Sequence, residues 1–315
     1  VTSRRTGIES WIEDSISPSV YRSPLTGRGS PVTGHRSRVT GFRVPELPEV
    51  ETTRRGLERL LVGQRIRTAI VRNRALRFRV PRLLPRIVTG AIIRALTRRG
   101  KYLLMDCGSG TLILHLGMSG RLFVADNAVP VSPHDHFELV LENGMRVRLR
   151  DPRRFGLVLW QPGNPLKHAL LARIGPEPLS PEFSGAWLHR VTRKRGAAIK
   201  PVLMDGHVVA GVGNIYANEA LFRAGISPRT AARRLSRERC DALAANIRDT
   251  LELAIEAGGS TLRDYVASDG QAGYFQDQFL VYGRAGEPCL RCGTPIKGTR
   301  LGQRSTFYCP TCQKA

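Results

Sequence analysis

The feature that most constrains this chain lies near its end, where the cysteines run Cys289-x2-Cys292-x16-Cys309-x2-Cys312. Two tight C-x-x-C steps at this separation have the spacing of a four-cysteine zinc ribbon, in which four thiolates close a tetrahedral shell around one Zn2+. So short a tail carries too little apolar matter to order itself, and metal binding supplies most of its folding free energy. A closed four-sulfur shell leaves no open position, so the expected ion, one per chain, is structural and the chemistry lies elsewhere. Thiolate ligands fit a reducing compartment, here expected to be the cytoplasm. Cys107 and Cys240 stand alone in apolar segments and read as core residues.

Charge narrows the choice of partner. The 315 residues include 49 Lys and Arg against 26 Asp and Glu, a formal charge of +23, and an imbalance of this size predicts a polyanion. No apolar run approaches the roughly 20 residues that cross a bilayer. Nor does an apolar stretch follow Arg4 and Arg5, as an export signal requires. Nucleic acid is therefore favoured over a membrane, and a monomer is expected. Around the ribbon cysteines, Arg284, Arg291, Lys297, Arg300, Arg304 and Lys314 are opposed only by Glu287. They form either a solvated face or a small hairpin that touches phosphates.

Four stretches follow from the patterning. Residues 1–44 are rich in Ser, Gly, Pro, Thr and Arg without a hydrophobic period, and read as a disordered extension or as lying upstream of the true start. Residues 45–175 open with a helix, on which Val50, Thr53, Leu57, Leu60 and Leu61 share a face and Gly63 is the stop. Six short apolar runs follow between Ile66 and Trp160, with Asn143-Gly144 as a hairpin signal, so an antiparallel β-sandwich is expected. Residues 176–281 read as helical. A helix should begin at Asn214 after Gly211-Val212-Gly213, and another should run from Ser236 to Ala257 with Gly258-Gly259 as its end. Residues 282–315 are the ribbon. The expected class is thus multidomain α+β.

Seven segments, in order, resemble the formamidopyrimidine-DNA glycosylases, which remove oxidised purines from DNA. They are Pro45-Glu-Leu-Pro-Glu-Val-Glu51, Arg99 to Leu103, His115 to Gly120, Asp151 to Gly156, Gly211 to Tyr216, Ser268 to Phe275 and the ribbon itself. The resemblance implies a β-sandwich with a leading helix, a helix-two-turn-helix domain and a zinc ribbon, with DNA between them. It implies excision of 8-oxoguanine and formamidopyrimidines through a Schiff base on Pro45, followed by strand cleavage by β,δ-elimination.

The residue types fit that chemistry. A terminal proline is a secondary amine, and its iminium with a sugar carbon carries positive charge without needing a proton. That cation acidifies the neighbouring sugar proton and permits loss of phosphate. Glu46 is placed to act as general acid and base, and Lys101 matches the family's essential lysine near the lesion. Met118, Arg153 and Phe155, with Arg154 between them, match side chains that fill the hole left by an extruded base. Arg153 would read the opposite cytosine. Asn214 would meet phosphate at a helix start, Arg304 would support the flipped nucleotide, and the loop from Ser268 through Tyr274 would cover the extruded purine. Lys200 is a further cleft candidate, although the basic residues that some members carry before it are replaced here by Gly196-Ala197-Ala198.

Two rivals remain. A related branch with the same architecture prefers oxidised pyrimidines; Leu47 within PELPE favours the purine branch, because the other usually has Gly there. The second is a DNA-binding protein without catalysis, since Pro45 inside a longer chain is an inert tertiary amide. Val44 stands where the family has its initiating Met, and GTG, a Val codon, also serves bacteria as a start codon. The expectation is a chain that starts at Val44 and is trimmed to Pro45.

Overall fold

The computed structural model describes residues 44–125, 128–259 and 275–314. Residues 1–43 of the extension, and Ser268 and Tyr274 of the proposed purine loop, lie outside the described residues. Helix α1 spans Leu47–Leu61. Its start is fixed by the Glu46 N–H, which donates to Glu49 Oε2 at 2.9 Å, and by Pro48 in the first turn, where no amide partner is needed. It stops before Gly63, which adopts φ +87°.

Behind α1 lie two four-stranded antiparallel sheets. One has the order β1 (Ile66–Val71), β6 (Asp135–Leu141), β7 (Arg146–Arg150), β5 (Arg121–Ala125). The other has the order β2 (Ala95–Arg99), β3 (Tyr102–Asp106), β4 (Gly110–His115), β8 (Leu157–Pro162). Val50, Leu57 and Leu61 of α1 join Leu103, Met105, Leu112 and Leu114 of one sheet and Phe137, Leu139, Val147 and Leu149 of the other in one core. A short helix α2 (Leu84–Val88) adds Leu84 and Val88. The hairpin at Asn143-Gly144 joins β6 to β7 as expected, with Gly144 at φ +89°.

Strands β2 and β5, each at a sheet edge, are absent from the sequence-based reading. Their sequences, ALTRR and RLFVA, carry Arg for different reasons: Arg98 and Arg99 of β2 are largely buried in ion pairs with Glu51 and Glu177, and Arg121 of β5 lies 5.1 Å from the Phe123 ring centroid. In β3 and β4 the apolar residues run consecutively rather than alternately because the sheet is covered on both faces. Leu104 and Ile113 point away from the sandwich core and pack with Leu157 and with Leu171 of α3 (Ala169–Ala172).

The second core gathers α4 (Gly185–Thr192), α5 (Ile199–Leu203), α6 (Asn214–Arg223) and α7 (Arg237–Glu256). Ser236 Oγ accepts from Arg239 N at 3.3 Å to cap α7. Cys240, Leu243, Ala244, Ile247, Leu251 and Ala254 make its buried stripe, and Gly258 and Gly259 follow at φ +76° and +86°. Leu47 from the first turn of α1 inserts into this helical core, and Cys107 and Cys240 are both buried as expected.

The ribbon hairpin is β9 (Lys297–Leu301) paired with β10 (Arg304–Tyr308). Gly302 and Gln303, at φ +55° and +60°, form the two-residue turn between them. Helix α6 carries the fittings that dock this tail. Asn218 Oδ1 accepts from Phe307 N at 2.8 Å, and the buried Glu219 carboxylate accepts the N–H groups of Leu280, Val281 and Tyr282. Among the described residues no helix is long and apolar enough to cross a membrane.

Candidate active site and nucleic-acid interface

The opening PELPE segment is held by a glycine turn far along the chain. Leu47 N donates to Gly211 O at 3.2 Å, and a Cβ on Gly211 would lie 2.7 Å from the Leu47 side chain. Gly213 caps α6, and a Cβ there would fall 2.2 Å from the Glu46 carboxyl carbon. The missing side chains make room for Glu46 itself. Its Oε1 accepts from Ile215 N at 2.9 Å and its Oε2 from Tyr216 N at 3.5 Å, so the free N–H groups and positive end of the α6 dipole receive a carboxylate. Glu46 thus takes two of the backbone amides, those of Ile215 and Tyr216, that this helix start would otherwise offer to phosphate. Asn214 is the first helical residue rather than the cap. Its Nδ2 reaches Tyr282 Oη at 3.5 Å and its Oδ1 is buried without a partner.

Glu46 is 2 % exposed. Burial pushes its carboxyl up to about 7, with Glu49 adding to the rise and Lys101 and the two α6 amides opposing it. A carboxyl near neutrality is poised both to give and to take a proton. Pro45, half-buried, precedes it directly.

Lys101 sits one residue before β3, in the two-residue turn Gly100-Lys101 of the β2–β3 hairpin, where Gly100 takes φ +57°. Glu177 holds this turn to the helical half of the molecule. It accepts from Gly100 N at 2.6 Å, Arg98 Nη1 at 2.7 Å and Arg99 Nη1 at 2.8 Å. Arg98 in turn donates to Glu51 of α1. Burial alone would raise Glu51, but hydrogen bonds from Arg54, Arg55 and Arg98 outweigh it and hold the carboxyl at about 2. The ammonium of Lys101 is thus delivered towards Glu46 from a turn tied on both sides.

His115, at the end of β4, is a site residue that its sequence motif does not single out. Its Nδ1 accepts from Gly117 N at 2.8 Å, which leaves the ring proton on Nε2. Burial first, then Lys101 and Arg77, depress it to about 3, so the ring stays neutral and offers one N–H donor. Its ring lies 4.8 Å from that of Tyr102. The signal was present as a histidine breaking an otherwise apolar strand, TLILH.

Met118 stands at the tip of the turn after β4, and Arg153, Arg154 and Phe155 on the loop between β7 and β8. The two loops touch. Phe155 is 42 % exposed, which excludes a strand-core role, and the Arg153 guanidinium stacks 5.0 Å from its ring centroid. Arg154 adopts φ +56°, a left-handed conformation that a non-glycine residue enters only when its surroundings hold it there. Exposed His134, also not singled out from the sequence, lies against this loop, its carbonyl accepting from Asp151 N at 2.9 Å.

Lys200 is corrected from a cleft contact to an interior residue. It is fully buried, and its Nζ donates to Ser305 O and Thr306 Oγ1, each at 2.7 Å. Burial lowers its ammonium to about 8, while Glu46 works against that shift and Arg304 with it. Lys200 therefore braces β10 directly behind the exposed Arg304. The four ribbon thiols converge as expected. All lie within 4.8 Å of one another, with Cys289 and Cys312 sulfurs 3.9 Å apart and those of Cys292 and Cys309 3.5 Å apart. Tetrahedral Zn–S bonds of about 2.3 Å require sulfurs about 3.8 Å apart, so the site fits one structural zinc.

Comparison with known proteins follows the same division. Residues 44–158 match the formamidopyrimidine-DNA glycosylase N-terminal domain, 174–266 its helix-two-turn-helix domain, and 286–315 the zinc finger found in FPG and IleRS. The formamidopyrimidine-DNA glycosylase of Stutzerimonas stutzeri is 54% identical over 271 residues, 86% of this chain and 100% of that protein. The chain belongs to the formamidopyrimidine-DNA glycosylase family. Other members include that of Geobacter sulfurreducens, 52% identical over 86% of this chain and all of its own length. The crystal structure of the MutM (Fpg) protein from Thermus thermophilus superposes with a TM-score of 0.77 at 41% identity, covering 85% of this chain and 98% of that one. The Lactococcus lactis Fpg bound to DNA containing an abasic site gives 0.80 at 36% identity, over 86% and 100%. As a member of this glycosylase family the chain is an enzyme of DNA repair with a ribbon that carries zinc.

Proposed function

We propose that this chain excises oxidised purines, 8-oxoguanine and formamidopyrimidines, from duplex DNA and then cleaves the strand at the resulting site. The observation that carries the reading is the docking of Glu46, beside Pro45, on the amino end of α6 with Lys101 facing it. Solved relatives support the substrate: a point mutant of Lactococcus lactis Fpg has been crystallised with Fapy-dG DNA and MutM with carbocyclic 8-oxo-G DNA.

In this mechanism the Pro45 nitrogen attacks C1′ of the damaged nucleoside, and the C1′–base bond breaks. Glu46, in its protonated form, gives its proton to the ring oxygen as the sugar opens, and the remaining C1′–N bond becomes an iminium. The iminium draws electrons from C2′, which loses a proton; the 3′ phosphate leaves by β-elimination, and the 5′ phosphate leaves in the following δ-step. Met118, Arg153 and Phe155 fill the vacated stack, and Arg153 pairs with the cytosine left behind. Asn214 and Arg304 contact the backbone. With Val44 attached, the Pro45 nitrogen is an amide and has no lone pair to give, so the mechanism requires Pro45 as the first residue of the working enzyme; our reading also has it act as a monomer in the cytoplasm.

Borohydride trapping on an 8-oxoguanine·C duplex tests this with a chain beginning at Pro45. A covalent protein–DNA adduct that disappears in Pro45→Gly is the expected result. No adduct from the Pro45 chain would overturn the mechanism, and cleavage of thymine glycol duplexes alone would overturn the substrate. Intact-mass measurement of the native protein reads its first residue.

A further inference from the structure

Two loops present the hole-filling side chains, and one hydroxyl joins them. Ser119 Oγ donates to Asp151 Oδ1 at 2.7 Å and accepts from Arg153 N at 3.2 Å. The second Asp151 oxygen accepts from Gly156 N at 2.7 Å, so the buried carboxylate closes the Arg153–Phe155 loop on itself and reaches across to the Met118 loop. Asp151 is in turn anchored to the sheet: its carbonyl lies 2.9 Å from His136 Nε2 and also accepts from Arg154 N. On the other side, Gly120 N donates to Leu116 O at 2.8 Å and Gly117 N to His115, which closes the Met118 turn. The backbones meet so closely that a Cβ on Gly117 would lie 2.4 Å from the carbonyl carbon of Phe155.

We propose that Ser119 is a positioning residue that clasps the two loops into one wedge, so that Met118, Arg153 and Phe155 enter the DNA stack as a unit. The proposal rests on the reading of those three residues given above. A serine suits the position chemically: its hydroxyl offers a proton to the carboxylate and a lone pair to the Arg153 amide at the same time, which alanine cannot do. Its loss leaves a buried carboxylate oxygen and a backbone N–H without their partner and frees the two loops to move separately. Ordering them then falls on the insertion step, where a pre-assembled wedge has no such cost.

The test uses a duplex with 2-aminopurine beside a tetrahydrofuran abasic analogue, whose fluorescence follows side-chain insertion, together with single-turnover excision of 8-oxoguanine. Ser119→Ala is expected to slow the insertion phase and excision by about tenfold, with affinity for undamaged duplex unchanged and the unfolding transition still cooperative. Ser119→Thr, which keeps the hydroxyl, is expected to restore both rates. Insertion by Ser119→Ala at the wild-type rate overturns the clasp. So does loss of undamaged-duplex binding in proportion to the loss of insertion, which marks general damage to the domain, and so does a folded Ser119→Thr as slow as the alanine variant. All variants are made in a chain beginning at Pro45; if that chain with Ser119 intact excises no 8-oxoguanine, the functional reading fails, while insertion into the abasic analogue still reads the clasp separately.

Discussion

The sharpest perturbation is a single methyl group at Gly213. Its backbone angles, φ −120° and ψ −158°, are open to any residue, so alanine brings no backbone strain and the effect comes from contact alone. The new Cβ would lie 2.2 Å from Glu46 Cδ and 2.5 Å from both carboxylate oxygens. Non-bonded carbons rest about 3.5–4 Å apart, so the carboxyl has to retreat by more than about 1 Å. The 2.9 Å bond from Ile215 N then opens beyond hydrogen-bonding range. Hydrogen bonds to a charged group contribute about 1.5–3 kcal/mol, so the expected loss of stability is about 2 kcal/mol, a fall of roughly 4–8 °C in Tm. Misplacing a catalytic group by about 1 Å costs about 100-fold in rate. The assay is single-turnover excision of 8-oxoguanine by a chain beginning at Pro45, with thermal unfolding alongside. Gly196→Ala, which meets nothing within 4 Å, is the control. A Gly213→Ala enzyme that excises within about twofold of wild type would refute the docking of Glu46 on α6 as a requirement of catalysis.

Other consequences can be measured on the same protein. Because burial raises Glu46 from 4.5 to about 7, the folded state holds a proton that the unfolded chain releases across that interval. Its contribution to stability is therefore full below pH 4.5 and gone above pH 7, a change on the order of 3 kcal/mol. Glu46→Gln, which does not titrate, should gain on wild type through that window in urea unfolding, and a constant difference would contradict it. Lys101→Ala should slow 8-oxoguanine removal more than cleavage at a preformed abasic site, and equal loss on both would count against its role at the lesion. Chelating zinc should expose amides in residues 280–314 to hydrogen exchange and weaken DNA binding while both larger cores stay protected; unchanged affinity would argue against a ribbon that touches DNA. Affinity should also fall steeply and linearly in log salt, as counterion release requires, and a flat dependence would remove the cationic surface from the account.

Much of the molecule was legible in the chain itself, and the reasons are local. Helices α1 and α7 follow from apolar spacing and from capping groups a few residues away, and the ribbon follows from two C-x-x-C steps whose four thiolates suit one tetrahedral ion. The β6–β7 hairpin follows from Asn143-Gly144. Edge strands β2 and β5 escaped notice because strand pairing is non-local and each gives the sandwich core only one or two residues, Leu96 from β2 and Leu122 and Val124 from β5. Lys200 misled because a lysine in a basic chain reads as surface. Only the folded ribbon reveals two oxygens, from Ser305 and Thr306, positioned to satisfy a buried ammonium.

The candidate site divides in the same way. Residue type and order in the sequence nominated Pro45, Glu46, Lys101, Met118, Arg153 and Phe155, because each offers a functional group that the chemistry needs. Tertiary structure decided how those groups are set. The glycines at 211 and 213 looked like a phosphate-binding turn and are instead the clearance through which Leu47 and Glu46 dock. The near-neutral pKa of Glu46 arises from burial held against the pull of Lys101, and the neutral ring of His115 from burial with Lys101 and Arg77 beside it, groups that separate elements of the chain bring together. Sequence determines which atoms can react, whereas desolvation and close approach belong to the space between distant segments, and exist only once the chain has folded.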